Sequence, residues 1–487
     1  MSPGLLFSFV IAYFIILLVV AWYTGRNSNN DSFFIGNRNS NWMLVAFGMI
    51  GTSLSGVTFV SVPGAVGKDA FTYFQITLGY FIGYVTIAYV LIPLYYRLQL
   101  TSIYNYLSTR FGMRSYKTGA SFFILSRSVG ATARLYLVVK ILQNAILSSF
   151  GVPFWVTTLI ILLMILLYTY EGGVKTIVYT DTLQTTCMLA GLVICVFYIL
   201  HTMNLGFGES ISAMQAKGLT RIFVTDPDSK LFFLKQIVAG AFITITMTGL
   251  DQEMMQKNIS VKTLKDSKKN MVSLAFIMLV VIGLFLFLGG LLHLYGAQQQ
   301  VAATGDNLFP ELALHHMPPV ISVIFIIALI SALFPSADGA MTALTSSFCI
   351  DILGMQRRTD WTDAQKKKYR QRIHLTMAFV FLLFVMMFEW INNQSMIGII
   401  LKLATYTYGP LLGLFAFGIL SKRSVNDKLV PLVCVAAPLL CFIIDKYQSN
   451  IFGSFQIGLE LLLINGLFTY LGLMMISHRE VVSRKAA

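Results

Sequence analysis

Long apolar blocks alternate with short polar stretches along the whole chain. Residues 5–22, 155–169, 186–201, 272–293 and 320–334 are nearly free of charge. A helix that crosses a bilayer needs about 20 mostly apolar residues, and blocks of that order recur throughout. The pattern predicts an all-α polytopic membrane protein with about thirteen spans. They fall near 5–23, 42–65, 72–96, 117–148, 153–170, 175–201, 232–255, 271–296, 318–352, 373–390, 395–420, 428–445 and 455–477. All of residues 1–487 then form one transmembrane domain. The longest stretches outside the membrane are 202–231 and the basic loop 353–372, and residues 305–316 read as a short outer helix that could act as a lid.

Composition agrees with the pattern. Hydrophobic residues make up 56% of the chain and charged residues 11%, whereas a soluble domain carries about 25% charged residues. The first block has no basic residue ahead of it, and Arg26 follows it. A cleaved signal has the reverse polarity, so this block reads as the first span, starting outside.

The net charge of +14 raises nucleic acid as a partner, but its placement points to the bilayer. With these spans, alternate loops segregate by charge. One set holds Arg26, Arg38, Arg97, Arg110, Arg114, Lys117, Lys175, Lys257 through Lys269, Arg357 through Arg372, Lys422 through Lys428, Arg479, Arg484 and Lys485. That is about 25 of the 35 lysines and arginines. The other set holds about six: Lys68, Lys217, Arg221, Lys230, Lys235 and Lys446. The positive-inside rule then places the N-terminus outside and the C-terminus in the cytoplasm. A miscount of one span would scramble this segregation. The charge orients the protein and requires no nucleic-acid partner.

Enzyme chemistry finds no foothold. The five cysteines fall inside spans with no metal-ligand spacing, the histidines form no HExxH, and there is no phosphate loop. The expectation is therefore not an enzyme. The lack of cysteines and glycan-rich segments in the outer loops fits a bacterial inner membrane. The oligomeric state is not legible.

Transporters place their sites where a helix unwinds near mid-membrane and frees backbone carbonyls. The best such place is Gly51-Thr52-Ser53-Leu54-Ser55-Gly56-Val57-Thr58 in the second span, poor in helix formers and rich in hydroxyls. Small-residue helix packing is the competing reading. The seventh span carries a related cluster, Ala239 to Gly249, five spans later. That odd offset suits two inverted repeats, over 42–201 and 232–420, with one extra N-terminal and two extra C-terminal helices.

Ionisable groups at membrane depth are functional candidates. Arg127 and Arg134 lie seven apart on one helical face. Their planar forks suit a substrate carboxylate, or they could pair with Asp181, Asp338 or helix-end carbonyls. Lys140 and Lys402 read as structural or snorkelling.

Several segments carry a family resemblance. Gly172-Gly173, then Thr180-Asp181 and Gln184, resemble a signature of the sodium:solute symporter family, the group of sodium/glucose, iodide, proline, pantothenate and sialic acid transporters. Ser331 to Asp351, Gly249-Leu250-Asp251-Gln252 and Tyr408-Gly409-Pro410 fit the same family in the same order. The resemblance implies a LeuT-type 5+5 inverted-repeat fold and sodium as the coupling ion. It implies a sodium site from Gly51, Leu54, Ala332, Pro335 and Ser336, where Pro335 replaces a customary hydroxyl. A second cation site would use Asp181, Asp338 and Gly339. Asp338 departs from the family's neutral hydroxyl, so this pair could hold sodium, share a proton or neutralise an arginine. Substrate contacts would come from Ser53, Ser55 and Thr58, with Gln75, Thr77, Phe242, Thr246, Arg127 and Arg134 as further candidates. Phe242 and Tyr406 could stack on a ring, although core packing is the default for both.

The chain thus reads as a sodium-coupled symporter that imports a small polar solute by alternating access. Its partners are the solute, sodium and the lipid bilayer. A hydroxyl-lined break suits a sugar or polyol, arginines suit a carboxylate, and a sugar acid such as sialic acid satisfies both. A proton-coupled or uncoupled carrier on the same fold, and a membrane sensor that binds solute without moving it, remain the alternatives.

Overall fold

A computed structural model of the chain describes residues 3–25, 30–391 and 396–478. Arg26, Arg479, Arg484 and Lys485, which enter the loop-charge pattern, lie outside the described residues. The helices are α1 (Pro3–Gly25), α2 (Trp42–Leu54), α3 (Gly56–Asp69), α4 (Tyr73–Arg97), α5 (Met113–Ala145), α6 (Phe154–Tyr170), α7 (Gly173–Thr202) and α8 (Phe233–Gly249). They continue as α9 (Gln252–Ile259), α10 (Leu264–Gln298), α11 (Pro319–Ile352), α12 (Asp363–Ile391), α13 (Met396–Thr407), α14 (Gly409–Leu420), α15 (Val430–Phe452) and α16 (Leu461–Met475). Among the described residues, eight helices are long and apolar enough to cross a membrane, and three bent pairs pass the same test together. α6 and α16 are apolar but shorter than that length.

Burial follows from position in the bundle. In α11, 78% of the apolar window is buried, against 22% in α15. Leu432, Leu439 and Phe442 of α15 stand exposed, as lipid-facing side chains do. α1 is fastened to α11 by Ser331, whose Oγ donates to the Tyr13 hydroxyl over 2.6 Å.

The breaks have local causes. α2 ends at Leu54, and Ser55 leaves helical geometry (φ 13°, ψ 164°). The chain resumes as α3 at a bend of 55°. Between α6 and α7 the chain kinks at Gly173, where φ is +52°. A side chain there would run into the backbone and ring of Phe33, so the glycine serves both conformation and close approach.

The second predicted break lies later than its hydroxyl cluster. α8 runs through the cluster, ending in a π-helical turn over Ile245–Gly249. The 65° bend falls beyond it, at Leu250-Asp251. Asp251 caps α9, accepting hydrogen bonds from the Glu253 and Met254 amides at 2.9 and 3.3 Å. Gly240 instead packs tightly against Gly79 and Ile76 of α4, the use small residues find between membrane helices.

A third break was not anticipated. α13 and α14 bend by 45° at Tyr408, just before Pro410, which supplies no N–H and crowds the preceding turn. Asn465 of α16 donates to the freed carbonyls of Thr405 and Tyr406, both at 2.9 Å.

Other expectations need correction. The loop 353–372 is half helix, because α12 begins at Asp363. Lys257, counted among loop lysines, lies on α9 and is buried. Residues 305–316 are helical as expected, with Phe309 stacked on Phe59 at 5.4 Å.

Candidate functional site

The break between α2 and α3 opens onto a narrow cavity of about 100 Å³, smaller than a typical drug-sized ligand pocket. Ser53, Ser55 and Thr58 line it from the break, and Arg127 and Arg134 from α5. α4 adds Tyr73, Tyr80 and Tyr84, and α8 adds Thr244 and Thr248. The walls are therefore hydroxyl-rich, with Tyr73 and Tyr80 in mutual hydrogen-bond contact at 3.2 Å.

The two arginines do different work. Arg127 is spent on fixed acids, in contact with Glu253 through Nη2 and 3.9 Å from Asp251 through Nε. Arg134 also faces the cavity and forms no ion pair or hydrogen bond with any described residue. One helical face thus carries a paired guanidinium and, two turns on, a free one.

Arg127 belongs to a longer buried chain. The Tyr408 hydroxyl donates to Asp251 over 2.9 Å. Asp251 and Glu253 flank Arg127. Glu253 lies 3.7 Å from Lys257 on its own helix, and Lys257 lies 2.7 Å from Asp181. The Lys257 ammonium also donates to the Thr52 hydroxyl over 2.7 Å. Each charged member is at most 4% exposed. Removing one partner of such a buried pair typically costs about 3–5 kcal/mol, because it strands the other.

A candidate cation site lies where the α2 break meets α11. A side chain at Gly51 would meet the Thr185 hydroxyl and the Pro335 ring, so the two elements touch there. The last four carbonyls of α2, Gly51 to Leu54, have no partner within their helix, and they form the negative end of its dipole. Pro335 likewise leaves the Ser331 carbonyl without its helical N–H. Ser336 Oγ donates to the Leu333 carbonyl over 2.8 Å, which leaves its lone pairs available. The buried Thr185 hydroxyl has no hydrogen-bond partner among the described residues. This all-oxygen set fits a hard cation. Ala332 sits fully buried beside it.

Below it, Asp338 accepts hydrogen bonds from Tyr168 (2.7 Å) and from the Gly339 amide (2.5 Å). It senses the charges of Asp181, Lys257 and Glu253. Asp181 Oδ1, Thr342 Oγ1 and both polar atoms of the Gln184 side chain have no hydrogen-bond partner among the described residues.

Four of the proposed substrate contacts stand apart from the cavity. The Gln75 amide donates to the Thr72 and Leu231 carbonyls and accepts from Val224, which stitches a loop to α4. Thr77 donates to Tyr73, and Thr246 to Phe242 and Ile243. Phe242 packs against the main core. The cavity face of α8 is Ile243, Thr244, Met247 and Thr248 instead. Tyr406 and Lys402 both contact Asp445, at 2.5 and 2.9 Å. Lys140 donates to the Tyr136 hydroxyl over 3.1 Å. Sequence reasoning missed Thr52, Thr185, Glu253 and Lys257. The spacing of Glu253 and Lys257, one helical turn apart and facing an excess of acids, was the signal available.

A model of the sodium:solute symporter family matches residues 33–428. Among known proteins, the sodium/sialic acid symporter SiaT of Proteus mirabilis is 24% identical over 464 residues, covering 89% of this chain and 88% of that protein. The sodium-dependent multivitamin transporter of Oryctolagus cuniculus is 25% identical over 397 residues, covering 79% of this chain and 60% of that one. A solved substrate-bound, outward-open structure of a Na+-coupled sialic acid symporter superimposes with a TM-score of 0.83 at 20% identity, over 97% of this chain and 99% of that one. That likeness gives the chain the LeuT-type fold.

Proposed function

The chain belongs to the sodium:solute symporter family, and on that premise we propose that its solute is a small polar carboxylate, with a sugar acid such as sialic acid as the leading candidate. As a family member it couples the entry of a small polar solute to sodium by alternating access. The observation that carries the substrate reading is Arg134, a guanidinium without a partner among the described residues, in a cavity whose polar lining is mostly serine, threonine and tyrosine hydroxyls set among apolar side chains. A planar fork matches a carboxylate, and the serine, threonine and tyrosine hydroxyls match a polyol chain. Two similar proteins are named as sodium/sialic acid symporters and another as a sodium-coupled monocarboxylate transporter.

Sodium would sit between the α2 carbonyls of Gly51 and Leu54 and, on α11, Ala332, Pro335 and Ser336. Ser53, Ser55, Thr58 and Arg134 would hold the solute. Gln75, Thr77, Phe242 and Thr246 serve packing in this reading, and Arg127 holds the bundle together. Asp181, Asp338 and Gly339 form a second ion position. Coupling follows because sodium favours the conformation that the solute binds better.

The membrane frame belongs to the same proposal. Thirteen spans, with the N-terminus outside in a bacterial inner membrane, agree with the loop charges even with Lys257 removed from the count. Repeats over 42–201 and 232–420 are supported by two sharp bends, of 55° and 65°, five spans apart.

The test is ligand stabilisation of the purified protein. Sialic acid and its methyl ester are each added in sodium and in choline buffer. A ligand that binds only the native state raises its stability by RT ln(1 + [L]/Kd). Stabilisation by the acid in sodium alone is expected. Equal stabilisation in choline would sink sodium coupling for that solute, and equal stabilisation by the ester would sink the carboxylate role of Arg134.

A further inference from the structure

Lys257 reaches from α9 into a wall of oxygens contributed by other helices. Its Nζ lies 2.7 Å from Asp181 Oδ2 on α7 and 2.7 Å from Thr52 Oγ1 on α2. Glu253 Oε1 is 3.7 Å away, and Asp338 on α11 is within electrostatic reach. The ammonium thus faces carboxylate and hydroxyl oxygens, the ligands a hard cation takes. Two oxygens of these carboxylates, Asp181 Oδ1 and Glu253 Oε1, have no hydrogen-bond partner among the described residues. An ordinary salt bridge joins one acid to one base, whereas two carboxylates, those of Asp181 and Glu253, lie 2.7 and 3.7 Å from Lys257. The space is also shaped for that convergence: a side chain at Gly339 would collide with the Glu253 carboxylate.

We propose that the Lys257 ammonium is a tethered cation that occupies the second ion position, so that the protein carries a single sodium per transport cycle. The inference rests on the symport reading and on the sodium site at Gly51 and Ser336. A tethered ion bridges α2, α7 and α9 as a free ion would. It cannot dissociate into the cytoplasm, so it adds nothing to the number of ions moved. Lys257 therefore sets the stoichiometry while touching neither the solute nor the transported sodium.

The experiment is equilibrium binding of radioactive sodium to the purified full-length protein, with choline as the replacement cation. The wild type is expected to bind one sodium, and so is Lys257→Arg, which keeps a tethered charge. Lys257→Ser vacates the position and leaves a hydroxyl there, and it should bind two. Ser336→Ala should weaken the single sodium of the wild type roughly five-fold, and in the Lys257→Ser background it should weaken one of the two ions and leave the other unchanged. Two sodium ions on the wild type would overturn the inference and leave symport intact. A folded Lys257→Ser protein that still binds one would overturn it as well. No sodium on the wild type would sink the symport reading itself. Should Lys257→Ser fail to fold, the wild-type count alone still decides.

Discussion

The arginines of α5 allow recognition to be separated from folding. They lie seven residues apart, which is about 10.5 Å along the helix and nearly two full turns. Arg127 ends on Glu253 and Asp251, and Arg134 ends in the cavity. Methionine at either position keeps the length and removes the charge. Arg134→Met strands no buried acid, so the thermal midpoint without ligand should barely move. It deletes hydrogen bonds between charged groups worth about 1.5–3 kcal/mol, so the acid should bind roughly 10- to 150-fold more weakly. The methyl ester, which carries no charge, should lose little. Arg127→Met behaves in the opposite way. It leaves Glu253 and Asp251 buried without that cation, at a cost of about 3–5 kcal/mol. The midpoint should fall before any ligand is added. Adding Glu253→Gln should recover part of it, because the two residues are in contact and their effects are not additive. Thermal shift reads the first quantity and calorimetric titration of acid against ester reads the second. The reasoning is refuted if Arg134→Met keeps the wild-type preference for acid over ester, or if Arg127→Met is as stable as the wild type.

Three further outcomes are expected. Ser336→Ala removes one hydroxyl oxygen worth about 1 kcal/mol, so sodium-dependent stabilisation should need roughly five-fold more sodium, measured by titration against choline. Gly51→Ala pushes a methyl group against the Thr185 hydroxyl and should weaken sodium binding, read by the same titration against choline. Gly79→Val places a branched side chain where α4 meets the α8 backbone; it should lower the yield of folded protein in detergent, seen by size-exclusion chromatography, whereas Ile82→Val on the exposed side of α4 should not.

Much of this architecture was legible in the sequence, and the gaps have physical causes. Apolar runs disclose spans because the bilayer demands length. The break at Ser55 was legible because Gly51 to Thr58 combines weak helix formers with hydroxyls. The same logic misled at Ala239 to Gly249. There Gly240 serves interhelical contact, and the bend falls at Asp251, a capping residue with little signal of its own in a polar run. The bend at Tyr408 went unread because its cause, Pro410, also suits the first turn of a helix. Lys257 reads as a loop lysine because charge alone cannot distinguish a solvated lysine from one neutralised by Asp181, more than seventy positions earlier in the chain. The parting of Arg127 from Arg134 depends on which acids another helix delivers, and no periodicity carries that information. Thr244 and Thr248 were passed over for Thr246 because choosing the cavity face of α8 requires knowing how the helix is rotated.

Tyr408 stands at the α13/α14 bend, and its hydroxyl holds Asp251, which caps α9 after the α8 bend. The ion-pair chain continues to Thr52, at the end of α2 beside the α2/α3 bend. All three interrupted helices are therefore strung on one thread of contacts. In a porter built this way, opening any one bend would strain contacts that run on to the other two. Ions would have no half-open passage through which to run down their gradient unaccompanied. The thread acts as an interlock, and its integrity would show as tightness of coupling more than as speed of turnover.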